Sequence, residues 1–138
     1  MARECTLVFE TEPPIPFTCA DGTGIEKGTI LKMTDLMTCE EADGDGDPIA
    51  GIAAEEKIAS DGKVKIGVYR GGIFKGYCGA GGVTHGLAID TDVATGDTNE
   101  LVNAPVTTGN FVGIALETAT DGETFLFELR PHHQTANS

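Results

Sequence analysis

Few residues in this chain have the types and spacing that chemistry demands. Asp43-Gly44-Asp45-Gly46-Asp47 sets carboxylates at alternate positions, as the start of a calcium-binding EF-hand loop does. The rest of that loop fails. Counting from Asp43, Pro48 stands where glycine should turn the chain and Ala54 where a bidentate glutamate should close it. The run therefore reads as a solvated acidic loop. Cys78, with His85 seven residues on, is the one nucleophile-and-base combination worth weighing, and an inert structural thiol is the better reading of it. Glu55 and Glu117 invite comparison with the two carboxylates of a glycosidase, but they occupy matching places in a sequence repeat, and no aromatic platform accompanies them. Serine supplies only Ser60 and Ser138, and His132-His133 lie beside Pro131 near the end. Gly79-Ala80-Gly81-Gly82 lacks the lysine and hydroxyl of a phosphate-binding loop. The expectation is a non-enzyme with no catalytic residues, no cofactor and no metal site. Cys5, Cys19, Cys39 and Cys78 show no zinc-ligand spacing; they read as thiols of a cytoplasmically made protein, with a disulfide pair left open.

The elements around these residues are strands, and they come twice. Gly51-Ile52-Ala53-Ala54-Glu55, Ala59, Asp61-Gly62 and the alternation Val64, Ile66, Val68 return as Gly113-Ile114-Ala115-Leu116-Glu117, Ala119, Asp121-Gly122 and Phe125, Phe127, Leu129. Upstream, Gly28 to Asp35 has a shorter echo in Gly86 to Asp92. Period-two alternation is the mark of a sheet with one covered face. Asp61-Gly62 and Asp121-Gly122 predict tight primed hairpin turns, with Gly62 and Gly122 as the structural glycines. Nineteen glycines and no tryptophan in 138 residues suit a compact mainly β domain, barrel or sandwich-like, built from pseudo-repeats over about 28–69 and 86–129. Strands are expected over 30–34, 49–54, 64–70, 73–77, 87–90, 111–116 and 124–129. Residues 21–131 form the domain and 132–138 a flexible tail. A net charge of −13 repels phosphate, so no nucleic-acid partner is expected. No apolar run approaches a membrane span or a secretion signal, so no membrane partner is expected either.

The first twenty residues read as an extended arm. Thr6 to Glu10 predicts a strand with Leu7 and Phe9 on one face, and Pro13, Pro14 and Pro16 argue that residues 12–17 cannot join a central sheet. Leu7, Val8, Phe9, Ile15 and Phe17 are too many apolar side chains for a segment left in water, so the arm must pack on its own domain or another chain.

With the repeat and the arm in view, Asp21-Gly22-Thr23-Gly24-Ile25-Glu26-Lys27-Gly28-Thr29-Ile30-Leu31-Lys32 and Pro48-Ile49-Ala50-Gly51-Ile52-Ala53-Ala54-Glu55-Glu56-Lys57, continuing through Asp61-Gly62 to Gly71-Gly72-Ile73-Phe74, resemble the head decoration, or capsid cement, proteins of tailed double-stranded DNA viruses. The related pattern runs from about Thr18 to Pro131. The resemblance implies a compact β body, synthesis in the host cytoplasm and a place on the outer surface of the virion's capsid. It also implies a homo-oligomer, trimer favoured, whose partner is the major capsid protein and which clamps neighbouring capsid subunits. Leu7, Val8, Phe9, Ile15 and Phe17 are the expected contact residues. A non-catalytic β module for a glycan or a cation is the rival reading, though two tyrosines and no tryptophan offer little for sugar stacking.

Overall fold

The computed structural model describes residues 4–42, 48–91, 99–104 and 109–134, the side chains of His133 and Gln134 excepted. The described residues form strands and no helix: β1 (Thr6–Phe9), β2 (Ile15–Thr18), β3 (Ile30–Asp35), β4 (Thr38–Glu41), β5 (Ile49–Ala53), β6 (Lys65–Tyr69), β7 (Gly72–Cys78), β8 (Ala88–Thr91), β9 (Glu100–Asn103), β10 (Gly109–Ala115) and β11 (Thr124–Gln134). Strands β2-β4-β3-β5-β6 close into one barrel. Strands β7-β9-β8-β10-β11 close into a second with the same connections, because β7 pairs both β11 and β9. Each barrel is closed by one parallel seam, β2 with β4 and β7 with β9. The duplicated sequence is thus a duplicated barrel.

The repeat is larger than its sequence echo, and its phase differs. The segment Ile15–Thr18 closes the first barrel, with Phe17 opposite Ile66 on β6 and 1% exposed. The expectation that the prolines bar this segment from a sheet is therefore wrong. Pro16 is accommodated because β2 pairs β4 at Thr18 only, so a strand with few donors still serves as a barrel stave. Its counterpart is β7, which was expected, and β4 and β9 were not. In the repeat, Ile66 and Val68 answer Phe125 and Phe127, since Phe17 faces Ile66 as Gly76 faces Phe125. Val64, expected on the buried face, precedes β6 and is 52% exposed.

The turns move in the same way. In the second copy the turn is Thr120–Glu123, with the Glu123 N–H donating to the Thr120 carbonyl at 3.0 Å. Gly122 has φ 85° and Asp121 does not share the positive φ, so the turn is unprimed. The first-copy turn is Ile58–Asp61, with Ser60 at φ 61° in the place of Gly122. Asp61 therefore closes its turn and Gly62 follows it. The carboxylates of Asp61 and Glu123 are the equivalent pair, accepting from the Ile58 and Thr120 N–H groups. Residues 62–64 lengthen the first return to β6.

Strand β5 is the wall between the barrels and is buried throughout. Ala50 and Ala53 face the first barrel's interior, while Ile49 and Ile52 join a larger cluster with Phe74, Leu101, Val112, Phe125 and Phe127. At Gly51 and Gly113 a Cβ would lie 2.0 Å from the carbonyl oxygens of Tyr69 and Glu128, so neighbouring backbone occupies the side-chain space in both barrels. Asn99 ties the two units: its Oδ1 accepts from Ile30 N–H and its Nδ2 donates to the Gly28 carbonyl, both at 2.7 Å and buried. Residues 132–134, expected to be flexible tail, extend β11 against β10, with a bulge opposite Val112 that absorbs Pro131.

Candidate functional site

The predicted contact residues fall into three environments. Strand β1 adds to β7 antiparallel, and a bulge between Leu7 and Phe9 breaks the alternation. Leu7 consequently packs on the large core cluster while Phe9 is 62% exposed, so the two do not share a face. Val8 and Ile15 are also exposed, at 42% and 38%. Phe17 is interior. Cys5 anchors the start of the segment, its N–H donating to the Gly28 carbonyl at 3.0 Å. Among the described residues β1 pairs with β7 alone, which leaves its other edge open.

Sequence reasoning missed a second apolar region at one end of the first barrel. The Thr18 N–H donates to the Met37 carbonyl and the Cys19 N–H to the Val64 carbonyl. This brings the β3–β4 turn and the lengthened β5–β6 return to either side of β2. Leu36 (86% exposed), Met37, Ile58 and Val64 stand out here.

Beneath that end lies Lys57, buried at 2% exposure. Its Nζ donates to the Asp61 carboxylate at 2.6 Å, the Ile58 carbonyl at 2.7 Å, and the carbonyl and carboxylate of Asp21 at 2.9 and 3.1 Å. Burial is the largest influence on this ammonium and opposes its charge, but the bonds to Asp61 and Asp21 outweigh it and hold the pKa above the ordinary value. Lys57 is thus a protonated clamp, not a nucleophile. Asp61 is shifted down, first by its bond from Lys57 and then by the Lys63 N–H. The second barrel has Ala119 at this position, since Lys57 bridges to Ile25 as Ala119 does to Val83. A repeat alignment in the correct phase would have exposed the exchange.

The other sequence candidates have structural employment. Glu55 accepts from the Gly67 N–H at 2.7 Å and pairs with Lys63, while Glu117 accepts from the Leu126 N–H at 2.9 Å. Each fastens the outer backbone of the strand that follows. The bond from Lys63 and that from Gly67 hold the Glu55 carboxyl below its ordinary pKa. Cys78 is buried and its thiol donates to the Gly79 and Ala119 carbonyls; burial, foremost, raises its pKa. His85 is exposed, with its Nδ1 at 2.9 Å from the Thr118 hydroxyl. Different partners thus engage the suggested nucleophile and base. Residues 43–47, where a cation site was weighed, lie outside the described residues. Among the described residues no three His, Cys, Asp or Glu side chains gather as metal ligands.

The geometry is that of twin closed barrels with apolar side chains displayed on an edge strand and at a barrel end. The family model of phage cement proteins matches residues 9–130, and the chain belongs to that family. No curated protein matches the chain. Membership makes it a capsid-stabilising structural protein, a non-catalytic component of the phage virion that associates with the capsid.

Proposed function

We propose that this chain, made in the host cytoplasm, docks on the outer surface of the capsid as a homo-oligomer, trimer favoured, and clamps neighbouring major capsid subunits. The observation that carries the reading is the open edge of β1 with Phe9 and Val8 turned outward and Ile15 exposed on β2. An unpaired strand edge offers main-chain hydrogen bonds to an extended segment of a partner, and the outward side chains give that pairing apolar area. Several such edges on one oligomer bind with a multivalent advantage.

The segment cannot be tested by deletion through residue 17, because that removes the stave that closes the first barrel. Val8→Asp with Phe9→Asp changes exposed side chains only. Burying a large apolar side chain contributes about 1.5 to 3 kcal/mol, so losing both should weaken attachment to expanded capsids roughly a hundredfold or more. Co-sedimentation with capsids measures it, with circular dichroism as the check on folding. A folded variant that binds with undiminished affinity removes β1 from the interface, and sedimentation equilibrium of the free protein reads the oligomeric state.

A further inference from the structure

The two barrels close in the same way, and only one closure brings two thiols together. In the second barrel the parallel seam sets Tyr77 against Glu100 and Cys78 against Leu101, with Cys78 and Leu101 both in the large core cluster. In the first, Thr18 lies against Thr38, and this is the one registered pair of the seam. One residue further along each strand, Cys19 holds the place of Cys78 and Cys39 the place of Leu101. Both cysteines are buried in the same cluster, inside the first barrel. Neighbouring strands run about 4.8 Å apart, within the roughly 4.4–6.8 Å between Cα atoms that a disulfide spans. Cys39 is also one of the residues lining an open cavity of about 320 Å3, together with Ala20, Thr23, Thr34 and Glu40.

We propose that Cys19 and Cys39 form a dithiol site that a small-molecule disulfide converts into a covalent bond across the β2–β4 seam, locking the first barrel shut. Cys39, after losing its proton to solvent, attacks one sulfur of the reagent. The reagent's S–S bond breaks and one half leaves as a thiolate that takes up a proton. The deprotonated Cys19 then attacks the Cys39 sulfur of the mixed disulfide and expels the other half. Two protein thiols are oxidised to one disulfide, and the reagent is reduced to two thiols. Burial, ahead of the charges of Cys19 and Glu40, pushes the Cys39 thiol up to about 11. Thiolate is scarce at neutral pH, so closure should be slow there and speed up about tenfold per pH unit below that value. The second barrel has no such lock, because Leu101 faces Cys78.

Full-length protein incubated with oxidised glutathione, quenched in acid, alkylated and mapped by mass spectrometry tests this. The expected product has lost the mass of two hydrogen atoms and yields one cross-linked peptide joining Cys19 to Cys39, with Cys5 and Cys78 alkylated. Its melting temperature should rise by roughly 5 to 15 °C and fall back on reduction. Cys39→Ser should abolish both the cross-link and the gain, whereas Cys78→Ser should abolish neither. A bond involving Cys5 or Cys78, a mixed disulfide on Cys39 that Cys19 never resolves, or four alkylated thiols after prolonged exposure at alkaline pH would each overturn the proposal. Mapping of the unmutated protein decides the matter even where a serine variant does not fold.

Discussion

The two barrels share every connection and differ in how they fill and fasten the same frame. In the first, a phenylalanine on the closing stave, Phe17, faces Ile66; in the second, Gly76 on the closing stave faces Phe125, and Phe127 fills the space beside it. A Cβ on Gly76 would come within 2.8 Å of the Phe127 ring. The volume is conserved while its source moves from one strand to another, as close packing of a fixed cage requires. Fastening differs likewise. The first barrel buries the Lys57 ammonium among Asp21, Asp61 and the Ile58 carbonyl, where the second has Ala119 and no charge. The edge of β7 accepts β1, while prolines at 14 and 16 strip the corresponding edge of β2 of donors. Duplication supplied the frame, and divergence left one copy with an added strand and the other with a buried ionic clamp.

The sharpest way to break this comparison is through the exchanged volume. Phe17→Ala should cost about 3 to 5 kcal/mol in denaturant unfolding, since the side chain is enclosed on all sides. Adding Ile66→Phe should recover part of that loss if the barrels are true volume complements; no recovery would show that the first barrel cannot adopt the second's filling. The turns come next. Gly122→Val and Gly62→Val should each cost about 1 to 3 kcal/mol. Both glycines have positive φ and a Cβ at either meets nothing within 4 Å, so the penalty is conformational alone. Unchanged melting temperatures would refute it. Ser60→Gly places the second copy's residue in the first copy's turn. It should relieve the left-handed conformation at Ser60 and change stability by less than about 1 kcal/mol, towards stabilisation, because the added freedom of the unfolded chain offsets part of the gain.

The smallest expected effect is electrostatic, because the carboxylates are partly solvated and screened. Asp61 is held below its ordinary value of 3.8 by the bonds from Lys57 and the Lys63 N–H, so its contribution is present above that value and is lost as pH falls through the lower folded one. Glu123 follows the same rule in the second barrel, held down by the Thr120 N–H and hydroxyl. The Lys57 contribution has the opposite sign: its folded pKa lies above the ordinary 10.5, so its support is complete below that value and fades as pH rises through the folded one. Melting temperature against pH should therefore fall in acid, and Asp61→Asn should flatten that acid limb. An unaltered limb would place the acid sensitivity elsewhere.

The strand programme of this protein is written locally. Alternation in Ile66 and Val68, in Phe125 and Phe127, and the repeated Gly-Ile-Ala-x-Glu are short-range patterns, and they suffice for an all-β duplicated body and for the family resemblance that the match over residues 9–130 bears out. What they cannot contain is phase and closure. Period-two alternation says that neighbours face opposite ways, but which residue begins the strand is set by hydrogen bonds to distant partners. Val64 accordingly lies outside β6, and the Asp-Gly pairs that match in sequence do not match in space. The same holds for Leu7 and Phe9, split by a bulge formed against β7, and for Phe17, read as arm yet required by β6 to complete a barrel. The surroundings of Lys57, and the meeting of Cys19 with Cys39, depend on a parallel seam between strands twenty residues apart. Only the closed tertiary structure creates those contacts, because a barrel's last pairing is decided when all its other staves are in place.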